Sequence, residues 1–135
     1  MAVATVLPTE FLKGVNKDAI SLIKGHVVAV DSSGIGVLRA TSANNTRNAI
    51  GLVVAGAAPT FVAKVQFSGR FELSDWTPIT GTVSLSAMAI YYLDLVSGKM
   101  ATVPPTGTGQ IVQKVGRALS PQVLEIKIEP SIILA

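Results

Sequence analysis

Apolar and polar positions alternate with period two most clearly in LEIKIE (124–129), where Leu124, Ile126 and Ile128 share one face and Glu125, Lys127 and Glu129 the other. Short β-rich runs separated by turn residues recur along most of the chain. They predict strands over 20–23, 26–30, 35–40, 49–54, 61–67, 69–73, 82–85, 89–95, 99–103, 111–119, 123–128 and 131–134. No window of helical length keeps the i, i+3, i+4, i+7 recurrence. The best attempt, Phe11 to Ile23, is interrupted by Gly14, so one helical turn at most is expected. Fully apolar runs, HVVAV (26–30) and AIYYLDL (89–95), fit strands covered on both faces, by the core and by another subunit. DSSG (31–34) and LVSG (95–98) read as hairpin turns, while TSANNTRN (41–48) and PPTGTG (104–109) read as loops.

The two halves echo one another. ISLIKGHVVAVDSSGIGVLRAT (20–41) parallels VSLSAMAIYYLDLVSGKMAT (83–102), matching Ser21, Leu22 and Asp31 to Ser84, Leu85 and Asp94. Each leads through a polar loop to a strand with a glycine inside it, Gly51 in one and Gly116 in the other. A glycine in mid-strand marks a bulge, a barrel bend or a close backbone approach. Duplication and convergence of two hairpins on similar turn chemistry both account for the match.

Composition strengthens the β reading: Val, Ile and Thr make up 39 of the 135 residues, and their branched side chains favour a pleated surface. The length fits one domain. The expected fold is therefore all-β, a small single-domain β-barrel or β-sandwich over residues 20–135, with similar halves at about 20–73 and 83–128. Residues 1–19 lack the β pattern and are expected to form an N-terminal arm. Charged residues are 14% and apolar residues 49%, so much of the surface should be neutral or covered by partners.

Several chemistries find no support in the sequence. The absence of cysteine removes disulfides, thiolate catalysis and sulfur-ligated metals. A net charge of +3 without clustered Lys/Arg argues against a nucleic-acid partner. The longest apolar stretch, residues 49–63, is too short for a membrane helix and is broken by Gly51, Gly56 and Pro59, so no membrane partner is expected. MAVATVLPTE has no basic region ahead of an apolar one, which reads as unexported. His26 is the sole histidine and heads an apolar strand, an expected structural position. Asp31 and Asp94 sit at turns they would cap, and Glu125 and Glu129 lie on a wet strand face. GIG (34–36) and GTG (107–109) lack the third glycine and following helix of a dinucleotide site. No catalytic residue, metal site or cofactor is expected, and the chain reads as a non-enzyme.

One combination of motifs carries a family likeness. An apolar strand, D-S-S-G, a strand ending R-A, a polar loop, A-I-G-L-V-V-A and then VAKVQFSG (62–69) resemble small virion proteins of tailed phages. The segment 91–135 is similar to the β-structured ends of phage head-decoration and fibre-type proteins. The likeness covers about residues 20–135. It implies a capsid decoration or cement protein, often a homotrimer, that binds the outside of the phage head and stabilises the shell. The implied partners are the major capsid protein and other copies of this chain, and the implied location is the capsid exterior after synthesis in the host cytoplasm. A phage fibre, tail or host-receptor-binding module is the alternative.

On this reading the interface candidates are Val3, Val6, Leu7, Phe11 and Leu12 of the arm, with Trp76, Tyr91 and Tyr92 of the domain. Apolar content is unusual for a disordered terminus, which favours an arm that orders on a neighbour. Removing residues 1–12 is then expected to weaken shell binding and leave the fold intact. Trp76 reads equally as an interface anchor or a cap on the barrel end. Tyr91 and Tyr92 point to opposite faces of one strand, so the outward one is the interface candidate.

Overall fold

The computed structural model describes residues 10–135 and is nearly all β, a closed five-stranded barrel with additional strands in one small domain. The barrel strands are β1 (Glu10–Asn16), β2 (Val27–Val30), β3 (Gly36–Arg39), β4 (Gly51–Ala55) and β5 (Val62–Glu72). A helical turn, α1 (Thr77–Thr80), follows. The second half comprises β6 (Ile90–Leu93), β7 (Met100–Ala101), β8 (Ile111–Val112), β9 (Lys114–Ala118), β10 (Val123–Ile126) and β11 (Ile132–Ile133). The main sheet runs β1-β3-β2-β4-β5-β10-β9-β6-β7, and a second pairing of β1 with β5 closes the first five strands into the barrel. The parallel contact of β1 with β3, Val15 opposite Gly36, completes the ring.

β5 is the spine of the domain. Its first part pairs with β1 and β4, and its last part, Gly69 to Glu72, pairs with β10. Where it changes partners, the Gln66 amide donates to the Ser68 and Arg70 carbonyls at 3.0 and 2.7 Å, satisfying acceptors that the bend would strand. The glycines singled out in the sequence serve close strand approach. A Cβ on Gly51 would lie 2.5 Å from the Gln66 carbonyl of β5, and one on Gly116 would lie 2.2 Å from the Glu125 carbonyl of β10.

Two cores result. Leu22, Val28, Val37, Val53, Ala63 and Val65 fill the barrel. The larger core sets the outward faces of β2 and β4, through Val27, Ala29 and Leu52, against Phe71, Trp76, Ile79, Tyr91, Leu93, Met100 and others of the second half. Val27, Val28 and Ala29 are all buried, as expected for strands covered on both faces, but the second cover is the chain's own second half and not another subunit. Gln113 fastens the halves together: its side chain accepts from the Ala49 N–H at 2.7 Å and donates to the Ala49 and Glu129 carbonyls.

The expected boundary of the arm is corrected. Residues 10–16 form the strand that closes the barrel, so the segment ahead of the domain ends before Glu10 and not at residue 19. The inward positions of β1 are Leu12, Gly14 and Asn16, and two of these are not apolar, which hides the alternation. Gly14 is small because the methyl groups of Val37 leave no room for more, a Cβ there meeting one at 3.0 Å. Asn16 is buried because its amide donates to the Ile20 and Ala57 carbonyls while its oxygen accepts from the Asp18 N–H. Cutting at residue 12 would remove part of the barrel, so a test of the leading segment belongs at residue 9. Two predicted strands, 20–23 and 82–85, are single pairings instead, Leu22 with Ala57 and Leu85 with Pro121. The runs 61–67 and 69–73 are one bent strand.

Candidate interaction surface

The predicted interface residues separate into distinct environments. Val3, Val6 and Leu7 lie outside the described residues. Phe11 points out of the barrel wall and is 44% exposed, whereas its neighbour Leu12 turns inward against the barrel core. Trp76 is not an interface anchor: it is wholly buried, 5.8 Å centre to centre from the Phe71 ring, with its indole N–H donating to the Gln122 carbonyl at 3.0 Å. It caps no barrel end either, since it packs in the larger core against the second half and outside the barrel core. Tyr91 is also removed from the interface list. Its ring is buried and its hydroxyl accepts the Ser86 N–H at 2.8 Å. Tyr92 points the other way and stays half-exposed.

Around Phe11 the outward face of β1 and β5 forms one continuous wall. Antiparallel register sets Val15 opposite Val62 and Lys13 opposite Lys64, all with Phe11 on the solvent side. Like charges directly opposite one another on a sheet repel. The Lys64 ammonium lies over the Phe11 ring, 4.3 Å from its centre, where the aromatic face supplies the negative potential a carboxylate would otherwise give. Beyond its far end Phe61 is 66% exposed, and Ile35, next to the Gly36 that pairs with Val15, is 74% exposed. Sequence reasoning missed Val62 and Lys64 because it placed the arm elsewhere. Once Phe11, Lys13 and Val15 are seen as the outward side of a strand, the alternation in VAKVQ (62–66) marks their partners.

The titratable groups seen elsewhere serve the fold. Asp18 receives the Arg39 Nε at 2.9 Å and the Arg39 backbone N–H at 3.0 Å. Burial alone would raise its carboxyl, but the bonds and charge from Arg39, with the Ala19 N–H, outweigh that and hold it at about 2. The His26 imidazole is held below its ordinary value, first by burial and then by the charge of Arg39. Its Nδ1 accepts the Ile23 N–H at 3.2 Å, the bond of a neutral ring serving a turn. Asp31 caps its turn as expected, accepting from the Ser33 hydroxyl and the Gly36 N–H. A bond from the Ser33 hydroxyl is the main cause of its lowered carboxyl.

A concavity of about 220 Å³ lies over β6, β9 and β10, where Lys114, Arg117 and Lys127 face Glu125 and Glu129 across the side-chain gap at Gly116. Glu129 meets Lys114 at 3.8 Å, and both side chains are close to half exposed. Such an open pair contributes little to stability. Among the described residues, no helix is long and apolar enough to cross a membrane.

Neither a protein-family model nor any curated protein matches the chain.

Proposed function

We propose that this chain is a structural virion protein of a tailed phage, a capsid decoration or cement protein that binds the outer surface of the head as a homotrimer and stabilises the shell. The observation that supports this reading is the amount and placement of exposed apolar surface. Fourteen large apolar side chains among the described residues are at least two-fifths exposed. Some of them are grouped, Phe11 and Val62 on the β1–β5 wall and Ile132 and Ile133 on the terminal ribbon where β11 pairs with β8. Grouped apolar surface on a chain with so few charges suits a protein that is covered by neighbours in an assembly.

The stabilising mechanism is mass action. A protein that binds only the assembled shell, in many copies and through several subunits at once, adds its binding free energy to that state and gains from effective concentration. The test is the copy number of this chain relative to the major shell subunit in purified particles, measured by quantitative mass spectrometry. A number comparable to the shell subunit is expected. A few copies per particle would make it a fibre or tail component, and absence from particles would end the virion reading.

A further inference from the structure

The β1–β5 wall combines three features that a solvated barrel face has no reason to combine. Phe11, Val15 and Val62 put apolar surface outward, where Val62 is 57% exposed. Lys13 and Lys64 stand opposite each other in register, and among the described residues neither makes an ion pair. Residues 1–9 contain no Asp or Glu to balance these charges. Glu10, the only carboxylate on β1, pairs with Ser68 past a register shift and among the described residues forms no ion pair either. The concavity over β6, β9 and β10 differs in this respect, since its cations already face Glu125 and Glu129.

We propose that the β1–β5 wall is a docking face for an acidic protein surface with apolar residues between its carboxylates. Carboxylates of the partner would take the Lys13 and Lys64 ammonium groups and relieve their mutual repulsion, while Phe11, Val15 and Val62 lose water against the partner's apolar residues. Charge complementarity at the rim would set the rate of encounter and its salt dependence, and the apolar centre would hold the complex. The proposal rests on the cement reading for its natural partner, the outer surface of the shell protein. The chemistry of the face stands apart from that identification.

The experiment compares three folded proteins: the wild-type chain, the double variant K13E/K64E, and R117E/K127E, which makes the same change of charge in the concavity. Each is checked by circular dichroism, then sedimented with shells stripped of this chain, and titrated by fluorescence anisotropy with a labelled peptide alternating Asp or Glu with Leu. Wild type and R117E/K127E are expected to bind both, more weakly as salt rises. K13E/K64E is expected to bind both at least about tenfold more weakly. If K13E/K64E sediments with shells as wild type does, this face is not the docking surface and the cement reading is untouched. If wild type ignores shells yet binds the peptide through Lys13 and Lys64, the docking face stands and the cement reading falls. If wild type binds neither, both fall. Equal Lys13- and Lys64-dependent binding to a short DNA duplex or to phosphatidylglycerol vesicles would overturn the proposal in favour of a general anion-binding face.

Discussion

In the barrel half, Leu22 exchanges backbone hydrogen bonds with Ala57, the Gly25 N–H donates to the Val53 carbonyl, and the Val53 N–H donates to His26. In the second half the Leu85 N–H donates to Pro121, the Met88 N–H to Ala118 and the Ala118 N–H to Ala89, a comparable set with one residue fewer between the partners on the returning strand. The likeness continues through the hairpins. Val28 faces Gly51 and Tyr91 faces Gly116, and the Asp31 N–H bonds to Gly36 as the Asp94 N–H does to Lys99, while the left-handed glycine of each turn, Gly34 or Gly98, stands one residue out of step between the two. The agreement extends well past turn chemistry, so the sequence echo is a structural repeat. What differs is how each unit is finished. The strand that closes the first, β1, has its positional counterpart at about residues 73–79, and there the chain makes α1 instead. The reason is local. Pro78 has no N–H for a ladder, and the Asp75 carboxylate accepts both the backbone N–H and the hydroxyl of Thr77, tightening a turn. One half therefore completes its sheet with hydrogen bonds, and the other seals its core with Trp76 and Ile79.

If that contrast is right, Trp76→Ala should be the most damaging change in the molecule. It leaves a large void in the core of the second half and takes from the Gln122 carbonyl one of its two donors, the Leu73 N–H remaining, a cost of about 4 kcal/mol. Hydrogen exchange should locate the loss: amides of β6, β7, β9 and β10 lose protection before those of β1 to β4, whose own core the indole does not enter. Equal loss across both halves would mean that the plug holds the barrel as well, and the comparison would fail.

The same contrast decides what could be read from the sequence. Strands with apolar residues on at least one face, such as Val27 to Val30 and Val123 to Ile126, announced themselves by pattern, and turns by Asp and Gly. β1 did not, since its inward side is Leu, Gly and Asn, and the tolerance for Gly14 and Asn16 depends on Val37, Ile20 and Ala57, residues distant or invisible to a local window. The face carrying Lys13 and Lys64 stayed hidden for the same reason: it exists only when two strands far apart in sequence meet in register. Trp76 stayed ambiguous for a different reason, because a tryptophan among polar residues reads equally as an anchor or a cap until its burial and its long-range bond to Gln122 are known.

The equivalent glycines sharpen the repeat. In each half a glycine lets one strand settle against the carbonyl of the next, so alanine at either position forces two backbones apart. Gly116→Ala and Gly51→Ala should each cost about 3 kcal/mol, measured by chemical denaturation, with Gly116→Ala the worse because its Cβ would stand nearer the carbonyl, at 2.2 against 2.5 Å. A neutral result at one site and a large one at the other would show that the two strands play different parts despite their matching register.

The smallest effect is expected where the repeat is imperfect. Gly25 and Met88 occupy corresponding positions and both have a left-handed backbone, φ 99° and 68°, a conformation a glycine adopts freely and a methionine at a cost. Gly25 has a second reason to be glycine: a Cβ there would lie 2.8 Å from Leu73 and 3.0 Å from Ile79, so the plug of the second half packs onto the barrel at that point. Met88 carries no such duty, since its side chain is 62% exposed. Met88→Gly should therefore stabilise the protein, by about 1 kcal/mol, because the relief of the left-handed strain exceeds what the exposed side chain contributes. The denaturation midpoint should rise for Met88→Gly and fall for Gly25→Ala. A fall for Met88→Gly would mean that this methionine is held by contacts the barrel half has no counterpart for, and the repeat would end at the turn before β6.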